Sequence, residues 1–166
     1  MRRRARTLVL LLCLLGTAIG VPARADRVVL IVNAASPVTM LDAIDIKRLF
    51  MGIPVERGEV TLHAVLNNSD EQLKAVFLQY VVSMSEPAYQ RRLLMLTLEQ
   101  GRRMPAAFAD NARLLAAVAG NTGAVSYAWE SAALRNPRVR ILRELDRKST
   151  RLNSSHERLS RMPSSA

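Results

Sequence analysis

The sequence predicts an α/β domain over residues 26–145, with a mostly parallel or mixed sheet flanked by helices. Three observations lead there. Val28-Val29-Leu30-Ile31-Val32 is a continuous β-branched run, the pattern of a strand buried on both faces. Strand-like runs then alternate with amphipathic helical segments, which places helices over a sheet. The stretch between the two atypical ends is about 120 residues, enough for one hydrophobic core.

The elements follow in order. After the first strand comes the turn-rich Asn33-Ala34-Ala35-Ser36-Pro37. Asp42 can cap a helix whose apolar face is Ile46, Leu49 and Phe50, with Gly52 as its stop. A turn through Pro54 and Gly58 leads into the alternating strand 60–65. Ser69 followed by Gln72 reads as a capping box opening a helix with Leu73, Val76, Phe77, Tyr80 and Val81 on one face. Ser85-Glu86-Pro87 starts another helix, with Tyr89, Leu93 and Leu96 inward, and Gln100 to Pro105 reads as a loop. Asn111 is the expected cap of a helix carrying Leu114, Leu115 and Val118, which stops at Gly120-Asn121. Strands are expected at 124–127 and 139–142.

The two ends read differently. Residues 1–25 are expected to be a secretory signal peptide: Arg2, Arg3, Arg4 and Arg6, an apolar run from Leu8 to Leu15, then Ala23 and Ala25. That run is short of the roughly 20 residues that span a bilayer. The protein is therefore expected in the periplasm, without stable membrane insertion once the signal is cleaved. Residues 146–156 and 160–166 correspond, in order, to translated segments of a widely used short-read sequencing adapter. The expectation is an unstructured tail over 146–166 that is foreign to the natural protein.

Removing both ends changes the charge. The chain carries 24 basic and 14 acidic residues, a formal +10. Residues 26–145 hold 14 basic and 12 acidic residues, leaving only +2. The basic excess lies in the ends, so a nucleic-acid partner is not expected. Cys13 falls within the signal, so no thiolate chemistry or disulfide remains. His63, in an expected strand, is the one histidine between the ends. No catalytic residue, metal site or cofactor is expected.

Several motifs and their order resemble the phosphate-type periplasmic solute-binding proteins. They are Val32-Asn33 with Pro37-Val38 and Leu41; Asp45-Ile46-Lys47-Arg48-Leu49-Phe50-Met51-Gly52; and Val118, Asn121 and Gly123-Ala124-Val125-Ser126-Tyr127. The resemblance implies a single lobe of a type II periplasmic-binding-protein-like fold. It also implies a non-catalytic binding protein of the phosphate ABC-transporter type, taking a small oxyanion or other polar solute. In that family the anion meets a Gly/Ser/Thr-rich turn at a helix N-terminus, preceded by an arginine. The matching stretch, Asn67 to Leu73, has neither arginine nor glycine and puts Asp70 and Glu71 in the first turn. The candidate contacts are Asn67, Asn68, Ser69, Ser36, Arg102 and Arg103. Asn33, Tyr127 and Trp129 lie close to the same motifs and serve equally well as turn and core residues. The alternative is an accessory module that docks on an envelope sensor, porin or transporter and has no ligand of its own.

Overall fold

A computed structural model describes residues 26–145; the expected signal peptide and the expected foreign tail lie outside them. The first strand, β1 (Val28–Asn33), is buried at every position, and its alternation explains why. Val28, Leu30 and Val32 face one core, while Val29 and Ile31 face a second core across the sheet.

The remaining elements are α1 (Ala43–Phe50), β2 (Val55–Arg57), β3 (Val60–Asn67), α2 (Glu71–Phe77) with a π-helical turn (Leu78–Val82), α3 (Glu86–Gln100), β4 (Ala106–Phe108), α4 (Asn111–Ala119), β5 (Ala124–Trp129), α5 (Glu130–Leu134) and β6 (Val139–Glu144). The sheet order is β2-β3-β5-β1-β6, and β4 joins β3 beyond β2. β3 runs parallel to both β4 and β5. β1 runs antiparallel to β5 and β6, and β2 antiparallel to β3. The sheet is thus mixed: β3, β4, β5 and β6 share one direction, and β1 and β2 take the other. β2, β4 and α5 are three to five residues long; β2 falls in the expected turn through Pro54 and Gly58, and β4 and α5 where the sequence predicts no element.

The larger core joins β1, β3 and β5 to α1, α2, the π-helical turn and α3. At its centre Phe77 stacks on Tyr127 at 3.8 Å between ring centroids, and Phe50 meets both rings edge-on. The Tyr89 hydroxyl donates to the Phe50 carbonyl oxygen, so α3 is held by a buried polar tie as well as by Leu93 and Leu96. Burial pushes the hydroxyl pKa of both tyrosines up. The second core lies under α4 and α5 and takes Leu114, Leu115, Val118 and Ala133.

The starts of α1, α2 and α4 are set by aspartates. Asp42 caps α1 by accepting from the Asp45 amide at 2.7 Å, as its sequence position suggests. Two caps stand one residue from the expected place. Asp70, not Ser69, accepts from the Leu73 amide at 2.9 Å, and Asp110, not Asn111, accepts from the Arg113 amide at 2.8 Å. Ser69 is diverted because its hydroxyl donates back to Asn67 Oδ1 at 2.6 Å.

Candidate functional site

Strand direction decides which loops meet. The C-terminal ends of β3, β4 and β5 lie at one end of the sheet, where open α/β sheets bind ligands. Three loops gather there, each leading into a helix: Asn67–Asp70 before α2, Ala109–Asp110 before α4, and Trp129 before α5. They border an open cleft of about 350 Å3 lined by Ser69, Asp70, Asp110, Asn111, Ser131 and Arg135 among others.

Asn67 anchors this end and is fully buried. The registered β3–β5 pairing covers His63↔Ala124 and Ala64↔Val125. Beyond it, side chains bridge the strands. Ser126 Oγ donates to the Val65 carbonyl oxygen at 2.8 Å, and Asn67 Nδ2 donates to that of Tyr127 at 3.0 Å. The Tyr127 hydroxyl donates back to the Asn67 carbonyl oxygen at 2.9 Å, and Asn67 Oδ1 accepts the Ser69 amide at 3.0 Å. The Asn68 amide donates to the Phe108 carbonyl oxygen at 2.8 Å. Asn67 and Ser69 are therefore already bonded within the protein, whereas the enclosed Asn68 Oδ1 has no partner among the described residues.

Asp70 completes the arrangement. One carboxylate oxygen caps α2, and the other accepts the Trp129 indole N–H at 2.9 Å. The Leu73 amide first, then the indole, hold its carboxyl pKa below the usual carboxylate range. A fixed negative charge thus stands where the resemblance places an anion. At about 4 Å, even in water, it would repel each unit of ligand charge by roughly 1 kcal/mol.

Ser36 and Arg103 lie elsewhere. β1 runs against β3, so Ser36 follows β1 at the opposite end of the sheet. Through β5, Asn33 falls level with His63, four positions from Asn67, so the two asparagines are about 13 Å apart along the strand direction at ~3.3 Å per residue. Ser36 is buried and its Oγ has no partner among the described residues. Arg103 lines a second groove, of about 430 Å3, with His63, Gly52, Pro54, Met104 and Pro105. Arg102 is half-buried beside the C-terminus of α3, with its Nη1 enclosed and without a partner among the described residues. Asn67, Asn68 and Ser69 therefore form one group, Arg102 and Arg103 a second, and Ser36 stands apart; no single surface holds all six. His63 is exposed, with Nε2 at 3.4 Å from Asn121 Nδ2. Tyr127 is core, and Trp129 is half-buried at the cleft. Sequence reasoning passed over Asp110, Asn111 and Arg135 as cleft residues. The one available signal was that each flanks the start or end of a helix following a strand.

No protein-family model matches the sequence, and no curated protein matches it at a significant level. Solved structures do match. An ABC-type phosphate transport receptor from Vibrio cholerae is 14% identical, with a TM-score of 0.52 over 71% of this chain and 46% of that one. A candidate phosphate-binding protein from Planctomyces limnophilus is 12% identical, with a TM-score of 0.51 over 70% of this chain and 40% of that one. A candidate phosphate ABC-transporter substrate-binding protein from Clostridium perfringens, solved with phosphate bound, is 17% identical, with a TM-score of 0.51 over 80% of this chain and 51% of that one. The chain spans about half or less of the length of each. At these identities the likeness is one of fold. The chain has the expected architecture, a mixed α/β lobe of the periplasmic-binding-protein kind.

Proposed function

We propose that this chain is an exported, non-catalytic binding lobe of the phosphate-transport-receptor type. Its ligand is a small polar solute, held weakly in the cleft at the C-terminal ends of β3, β4 and β5. The observation that carries this reading is the gathering of three strand-to-helix loops around that cleft, in a fold shared with phosphate receptors. One lobe leaves the cleft open on its outer side, so low affinity is the physical expectation. The ionised Asp70 and nearby Asp110 favour an uncharged or cationic solute over a multiply charged oxyanion, with Arg135 as the cation in the lining.

A second reading rests on the internal bonding of Asn67 and Ser69. With those groups committed to the fold, the lobe serves as an accessory module that docks in the cell envelope and has no ligand of its own.

A thermal melt with and without phosphate, sulfate, polyols and small amines separates the two. A solute present at 100 times its dissociation constant stabilises the fold by about 2.7 kcal/mol. A rise with a polyol or amine supports the cleft reading. A rise with phosphate alone overturns the role given to Asp70. A cooperative melt indifferent to every solute removes the first reading in favour of the second.

A further inference from the structure

Helix α3 is apolar on two opposite faces. Tyr89, Leu93 and Leu96 point into the core. At 3.6 residues per turn, Leu94, Met95 and Leu98 share the opposite side with Arg91. They are 51%, 47% and 73% exposed, so the ridge facing away from the core is aliphatic. An apolar ridge on each of two faces calls for an apolar surrounding on each, and only one of them is supplied by the described residues. Two exposed arginines, Arg91 and Arg92, precede the ridge. Among the described residues neither enters an ion pair. The exposed acid on this stretch is Glu99, on the flank that carries Arg92.

We propose that the outer face of α3 docks on an anionic lipid surface, with Leu94, Met95 and Leu98 entering the acyl boundary and the arginines meeting headgroup phosphates. Charge and size select this occupant. A second copy of the chain would bring like-charged ridges together, since a two-fold contact sets the same patch against itself. A protein partner of ordinary stability needs roughly 20–30 residues a side, whereas this ridge offers three aliphatic side chains from little more than one turn. A bilayer interface accepts a single amphipathic helix face, by apolar burial and attraction to anionic lipid together. Guanidinium groups pair with phosphate oxygens in a planar fork, which suits arginine at the rim. The inference is independent of any solute in the cleft, which lies at the ends of β3, β4 and β5.

The test is flotation of the full-length chain with vesicles of phosphatidylcholine alone and of phosphatidylcholine mixed with phosphatidylglycerol. Wild type and variants share residues 1–25, so whatever that segment contributes is common to all arms. Partitioning onto the mixed vesicles should exceed that onto the neutral ones. It should fall about fivefold per arginine removed in Arg91→Gln and Arg92→Gln at low ionic strength, a dependence that vanishes in high salt. Leu94→Gln with Leu98→Gln should lower it by about tenfold or more. These positions are exposed, so a melt of each variant should match wild type and confirm that folding is retained. In a Met95→Trp variant the added indole emission should shift to the blue only with phosphatidylglycerol present. Equal partitioning onto both vesicle types, variants that float like wild type, or an indole that stays in water would each overturn the proposal.

Discussion

Two asparagines end two strands, and they are built alike. Asn33, at the end of β1, accepts the Ala35 amide at 2.7 Å and donates to the Ala119 carbonyl oxygen at 2.7 Å. Asn67, at the end of β3, accepts the Ser69 amide at 3.0 Å and donates to the Tyr127 carbonyl oxygen at 3.0 Å. Both are buried, and both make the same turn two residues on. They stand at opposite ends of the sheet, and only the loop after Asn67 borders the three-loop cleft. The comparison teaches that Asn67 has a structural explanation as full as that of Asn33. Any ligand there must use what the fold leaves over: the outer side of Asp70, Asn111 and Arg135.

The comparison can be broken most forcefully at Tyr127, which supports the Asn67 end alone. Tyr127→Ala should cost about 3–5 kcal/mol in urea unfolding, through the lost stack with Phe77 and the cavity left behind. Tyr127→Phe, which deletes only the bond to the Asn67 carbonyl oxygen, should cost about 1 kcal/mol.

Next come the asparagines themselves. Asn67→Ala and Asn33→Ala should each cost about 2–3 kcal/mol, because each leaves a buried carbonyl and a turn amide without a partner. If Asn67→Ala were neutral while Asn33→Ala was not, the likeness would fail and Asn67 would regain its place as a ligand residue. At the Asn33 end, Gly123→Ala should cost about 1–3 kcal/mol. An added Cβ would lie 2.4 Å from the Thr61 carbonyl oxygen, a backbone atom that cannot swing away.

The smallest effect belongs to Asp70. Asp70→Ala should lose about 1 kcal/mol of capping, and its pH dependence has a definite sign. The folded-state pKa lies below the unfolded value. The stabilisation is therefore complete above about pH 4, the ordinary aspartate value, and is lost as pH falls through the folded-state value. Melts of wild type and Asp70→Asn compared from neutral to acid pH should converge at the acid end.

Much of this was legible from residues 28–142. The unbroken run at Val28–Val32 pointed to burial on both faces, and that is what the sheet shows. The faces of α1, α3 and α4 followed from helical spacing of large aliphatic residues. The β2, β4 and α5 segments were not legible, because elements of three to five residues carry no periodicity to read. Nor was the reversed direction of β1, since a buried strand's sequence is the same whichever way it points. That one orientation moves Ser36 to the far end of the sheet from Asn67. The shifts of cap from Ser69 to Asp70 and from Asn111 to Asp110 arose because neighbouring residues were both competent; at Asp70 the bond from the Trp129 indole favours the aspartate.

The place of β1 has a consequence for how the chain comes together. Val28 pairs with Trp129, and Val29 with Glu144, so the first strand lies between two strands from the far end of the sequence. Until those last residues are available, an aliphatic strand with both edges open has no partner. Contacts of such high sequence separation close late and slowly, and an unpaired strand of this kind is prone to aggregate. Assembly of this lobe is then limited by the arrival of its last strand, and a chain held extended until all of it is present would escape the hazard.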